Sequence, residues 1–180
     1  MKTFSLLFIF CCLLNSVSAQ PLVTRSGYTA FFSETPLEDI KAENRQVHAV
    51  IDPGKKTLAF AMLLKGFLFD KELMQEHFNE NFVESDKFPK STFTGSYTGN
   101  VDLTRNGTYN VQVTGNLVLH GVTKSISVPA TLQVQDKKLL GQSRFNLKPA
   151  DFNIKIPALV RDKIAQQIDV LIKTEFNLSN

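Results

Sequence analysis

Cysteine is almost absent from this 180-residue chain, and the two that occur, Cys11 and Cys12, sit side by side in an apolar run over residues 4–14. Lys2 gives that run a short basic start, and Val17, Ser18 and Ala19 follow it with small residues, the layout of a signal peptide. Residues 1–19 are therefore read as a signal peptide. Residues 20–180 are read as one exported domain of roughly 160 residues, periplasmic or secreted, with enough chain for a core without disulfides. Such a domain holds no thiol, which excludes a cysteine nucleophile and a disulfide framework. Histidine is scarce too: His48, His77 and His120 show no metal-ligand spacing, so no metal site is expected. No GxSxG, HExxH or P-loop pattern occurs, which removes the common signatures of serine hydrolases, zinc proteases and nucleotide hydrolases. Beyond residue 14 no apolar stretch is long enough to span a bilayer, so no transmembrane anchor is expected. Charge is nearly balanced, at +3 overall and about +2 once Lys2 is lost, which argues against nucleic acid or a strongly acidic partner. These absences predict a non-enzymatic protein with no cofactor.

What is plentiful is alternation. Tyr109, Val111, Val113, Gly115, Leu117 and Leu119 share one face of a strand, with Asn110, Gln112, Thr114 and Asn116 on the other. Ile126, Val128, Ala130, Leu132 and Val134 repeat the pattern, and a short turn through His120-Gly121-Val122-Thr123 joins the two as a hairpin. Further strands are expected over 28–33, 47–51, 58–64, 92–99, 139–147 and 168–176. Asp52-Pro53-Gly54-Lys55 and Asn106-Gly107 read as turns, and Pro129 as a bulge or edge. The charged stretch 34–43 reads as a connection with a helical turn over 37–42. Asp70 is the expected cap of a helix carrying Leu73, Met74, His77 and Phe78 and ending near 79–81. Residues 82–89 read as an ordered loop, and 158–164 as a short helix.

Eight strands with mostly consecutive connections favour an all-β, up-and-down antiparallel barrel with a helix in the connection after the third strand. A barrel of that size has room for side chains or for one small ligand. Gly95, Gly99, Gly115 and Gly141 fall on inward faces beside Phe60, Met62, Phe93, Tyr97 and Phe145. Two readings stay open: the small residues leave an apolar cavity, or they only bend strands at barrel corners.

Three motifs, in order, carry a family resemblance. They are Met74-Gln75-Glu76-His77-Phe78-Asn79-Glu80-Asn81-Phe82 running on to Phe93, then Leu119-His120-Gly121-Val122-Thr123-Lys124 with Val128-Pro129-Ala130, and finally Asp151-Phe152-Asn153-Ile154 with Ile156-Pro157. Together they resemble the YceI family along nearly the whole expected domain. The resemblance implies a lipocalin-like barrel whose central tunnel holds a polyisoprenoid, quinone-like or other long-chain amphiphilic lipid. It also implies an exported bacterial protein and allows a homodimer.

On that reading the lining is expected from Phe60, Met62, Phe93, Gly95, Tyr97, Gly115, Leu117, Leu119, Phe145 and Phe152, with Met74 and Phe78 covering it from the helix. His77 and His120 are the candidates for a head-group contact, set against plain packing and turn roles. The rival reading is a solid barrel acting through its loops, over 34–44 and 82–89, as a stress-response or protein-interaction module.

Overall fold

In the computed structural model, residues 20–178 are described, and the expected signal segment, residues 1–19, lies outside them. Eight long strands run up and down: β1 (Leu22–Glu34), β2 (Asp39–Asp52), β3 (Thr57–Leu63), β5 (Lys90–Thr98), β6 (Gly107–Leu119), β7 (Val122–Gln135), β8 (Lys138–Leu147) and β9 (Ile168–Asn177). A two-residue strand, β4 (Leu68–Phe69), adds to β2 at Ala42 and Glu43. All pairings are antiparallel, and β1 bonds both β2 and β9, so the sheet closes into a barrel. Closure leaves no free first or last strand. The connection after β3 carries α1 (Glu72–His77), as expected.

The β6–β7 hairpin follows the sequence alternation residue by residue, with Asn110, Gln112, Thr114 and Asn116 exposed and Val111 and Leu117 buried. Leu119 pairs with Val122, so the turn is only His120-Gly121, with φ of 50° and 73°. Two consecutive positive φ values make a type I′ turn, whose twist matches the flanking strands. Gly121 is required twice over, because a Cβ there would also lie 2.6 Å from the Phe88 ring.

Three local expectations are corrected. The stretch 34–43 is not a connection with a helical turn: only 35–38 turn, and β2 starts at Asp39. Its inward residues are Ala42 and Asn44, then Val47, Ala49 and Ile51, so the alternation slips by one at Arg45-Gln46. The Asn44 side chain sits at that slip, accepting from the Gln46 N–H (2.8 Å) and donating to the Leu63 carbonyl (2.9 Å). An extra residue in one strand reverses the facing of every residue beyond it, and so hides the strand from a period-2 reading. Asp70 does not cap the helix; Lys71 precedes it with no side-chain cap, and the helix widens after His77, where the Val83 N–H reaches back to the Phe78 carbonyl at 2.9 Å. Gly107 belongs to β6 rather than to a tight Asn-Gly turn. The loop before it is pinned by Asp102, which accepts from the Thr104 N–H (2.9 Å) and hydroxyl (2.6 Å).

Both barrel ends are packed. At the far end Ile51, Leu58, Tyr97, Val111, Leu132, Val134, Leu139 and Phe176 form a core. At the helix end Phe31 stands among Phe67, Phe69 and Phe78, with ring centroids 5.2, 5.8 and 5.4 Å away. Rings in contact at these distances gain stability beyond the area they bury.

Candidate functional site

Between the two packed ends lies a cavity of about 100 Å³. β3 contributes Phe60 and Met62 to its wall, β5 Phe93 and Tyr97, β6 Val113 and Leu117, β7 Ile126, Val128 and Ala130, β8 Ser143 and Phe145, and β9 Ile172 and Thr174. Val47 on β2 and Thr29 on β1 complete the ring. None of the residues lining it is charged. Ser91 and Ser143 donate their hydroxyls to the carbonyls of Val118 (3.0 Å) and Pro129 (2.7 Å), so the wall they present is largely satisfied. The Tyr97 hydroxyl is held neutral: burial pushes its pKa up, and the Asp52 carboxylate adds to the shift.

One side of the barrel is incompletely laced. β7 and β8 pair only from Ala130↔Ser143 to Gln135↔Lys138. Residues 122–129 of β7 bond β6 alone, and residues 144–147 of β8 bond β9 alone. The strands therefore part above Ser143, and Pro129, which has no N–H to offer, is the residue where they part. The segment Pro149–Phe152, which follows β8, packs against β7 and ends against His120, whose Nδ1 lies 2.9 Å from the Phe152 carbonyl. Ile126, Val128, Phe145 and Leu147 border the opening and are only half-buried, although their side chains face inward. The result is a lateral window onto the cavity.

Of the residues expected to line the cavity, Phe60, Met62, Phe93, Tyr97, Leu117 and Phe145 do so. Leu119 and Phe152 stand nearer the helix end, and Phe152 is fully buried. Phe78 packs in the aromatic plug, while Met74 is half-buried on α1 and away from the wall. Gly95 and Gly115 do not line free space. They pair across β5 and β6, and a Cβ on either would meet the Phe93 ring at 2.9 and 2.6 Å. Their missing side chains seat that ring.

Neither histidine reaches the cavity. His77 is exposed, because the widened turn after it brings Phe78, not His77, onto the packed face. His120 is 9% exposed, and both of its ring nitrogens are engaged, by the Phe152 carbonyl and, at 2.7 Å, by Glu84 Oε2. A carbonyl can only accept, so Nδ1 is the donor to Phe152, which leaves Nε2 to face the Glu84 carboxyl group. This bond ties three segments together at the helix end, and Phe88 packs edge-on to the imidazole at 4.6 Å. Among the described residues no group of three or more His, Cys, Asp or Glu could hold a metal ion. Nor is any described helix long and apolar enough to cross a membrane.

Thr29 was not singled out by the sequence, though alternation with Tyr28 and Ala30 placed it on the other face of β1. It is 2% exposed, lines the cavity, and its Oγ1 has no hydrogen-bond partner.

The barrel matches solved structures at low sequence identity, which establishes the shared fold. A polyisoprenoid-binding domain from Saccharophagus degradans implicated in plant cell wall breakdown superposes with a TM-score of 0.75 at 15% identity, over 89% of this chain and 99% of that one. BcnA of Burkholderia cenocepacia gives 0.70 at 15% identity, over 83% and 95% of the two chains. The YceI protein of Campylobacter jejuni gives 0.62 at 20% identity, over 77% and 85%. No curated protein matches the chain significantly in sequence. The family model for the YceI-like domain matches residues 24–176, from near the start of β1 to near the end of β9. The chain belongs to the YceI-like family.

Proposed function

We propose that this chain is an exported, non-enzymatic carrier that holds a polyisoprenoid, quinone-like or other long-chain lipid inside the barrel. The observation that carries the reading is the cavity wall: apolar on nearly every strand, without a charged side chain, in a YceI-like barrel. The Saccharophagus degradans domain with the same fold is described as polyisoprenoid-binding. Affinity would come from desolvation, at about 0.8 kcal/mol for each methylene moved from water into the lumen. The wall offers no carboxylate, imidazole, amine or thiol, which supports binding rather than turnover. The cavity of about 100 Å³ is smaller than an ordinary ligand pocket, roughly 300–1,000 Å³, so a long chain must part the walls, and the unlaced β7–β8 window is where they part most easily.

The small volume is also what favours the solid-scaffold reading. One of the loops that reading needs, over 34–44, is largely strand. Native mass spectrometry of the protein from its own host, followed by organic extraction, separates the two. A discrete co-purifying mass released as a long-chain lipid is the expected result. An empty protein that also refuses isoprenoid quinones and fatty acids would overturn the carrier reading in favour of a loop-mediated interaction protein.

A further inference from the structure

Among the described residues only two fully buried side-chain polar atoms lack a hydrogen-bond partner, Thr29 Oγ1 and Asn79 Oδ1, and Thr29 is one of the residues lining the cavity. A buried hydroxyl without a hydrogen bond is costlier than the methyl of a valine in the same space. Thr29 cannot turn away to find a partner within the protein. It is β-branched and held in a strand, so its χ1 choices are few. Directly opposite on β2 stands Asn44, whose amide and carbonyl are already committed to Leu63 and Gln46. Directly opposite on β9 stands Ile172, which offers nothing polar from its side chain. A lone resident water would itself need two to four polar partners, and this wall is nearly all apolar.

We propose that Thr29 is the specificity-determining residue of the cavity: its hydroxyl donates to a neutral oxygen, a carbonyl or alcohol, carried on an otherwise apolar ligand. The proposal rests on the lipid-carrier reading and sharpens it. The oxygen must be uncharged, because no cation lines the cavity to offset the desolvation of a carboxylate or phosphate. The oxygenated end of the ligand therefore lies mid-barrel, beside β1 and β9, with the apolar remainder running along Phe60, Met62 and Phe145.

The test uses delipidated protein, a displaceable apolar fluorophore, and three twelve-carbon probes: dodecanol, dodecane and dodecanoate. In Thr29→Val the dodecanol-to-dodecane affinity ratio is expected to fall about fivefold, the worth of one neutral hydrogen bond, with dodecane binding unchanged. Thr29→Ser keeps the hydroxyl and is expected to keep the ratio, and dodecanoate binds more weakly than dodecanol to the wild type. A Thr29→Val ratio equal to that of the wild type, or a fall matched in Thr29→Ser, overturns the inference while leaving the carrier reading intact. A wild-type barrel that takes up none of the probes sinks both. Thr29→Val relieves an unsatisfied group, so its melting temperature should not drop.

Discussion

Gly95 and Gly115 show how a residue can be placed correctly and still be misread. Their inward position was legible from alternation, and a hollow behind them was a natural expectation. The hollow is occupied by Phe93, because the ring of a neighbouring inward residue folds back over both glycines, a choice of rotamer that no pattern of residue types encodes. The constraint is tighter than steric contact with a ring. A Cβ on Gly95 would also stand 2.3 Å from the Thr114 carbonyl oxygen, and one on Gly115 would stand 2.3 Å from that of Thr94. Backbone cannot step aside as a flexible side chain can. Gly95→Ala is therefore expected to cost about 3 kcal/mol, the upper end of what overpacking ordinarily costs, read as a lower denaturation midpoint in urea. A variant as stable as wild type would mean that β5 and β6 move apart freely. For the same reason a bulky residue at either glycine would unfold the barrel rather than block its lumen, so Val128, on the window, is the better place for a blocking side chain.

At the scale of elements, the legible parts are those whose side chains obey one period throughout. The β6–β7 hairpin is continuous over thirteen pairs, and its faces could be read directly. β2 could not, since the slip at Arg45-Gln46 puts Lys41 and Glu43 on the outside and then Val47 and Ala49 on the inside, so the first half looks like charged linker. The window was equally hidden. Sequence shows that β7 and β8 are strands, but only the register shows that they stop pairing at Ala130 and Ser143. Pro129 was the one visible sign, as a residue unable to donate to a ladder. This geometry has a consequence for hydrogen exchange. Amides of residues 122–128 and 144–147 that face the gap lack ladder partners and should exchange fast, whereas those of residues 130–135 and 138–143 should be protected. Loading with lipid should slow exchange at both gap edges. Equal protection along the whole of β7 in the unloaded protein would mean that the strands close in solution and that the window is no route to the cavity.

For the whole molecule, the question is where a chain longer than the cavity goes. The far end is packed by a core from Ile51 to Phe176, in which Ile51, Leu58, Tyr97, Val111, Leu132 and Phe176 also floor the cavity and Leu139 is fully buried behind them. The helix end is sealed by rings: Phe78 meets Phe31, Phe67 and Phe69 at centroid distances of 5.4, 5.6 and 5.1 Å, and it is the only member of that plug contributed by the widened turn after α1. A series of linear alcohols resolves the path. Affinity should rise about fourfold for each added methylene, the equivalent of ~0.8 kcal/mol, until the lumen is full, and then flatten. Phe78→Ala removes one ring from the plug and extends the apolar lumen towards the helix. It should lower the melting temperature and move the break in the series to longer alcohols. If the break does not move although the plug has been opened, the surplus chain is not running along the barrel axis. It is then leaving sideways between Val128 and Phe145, through the gap where β7 and β8 part.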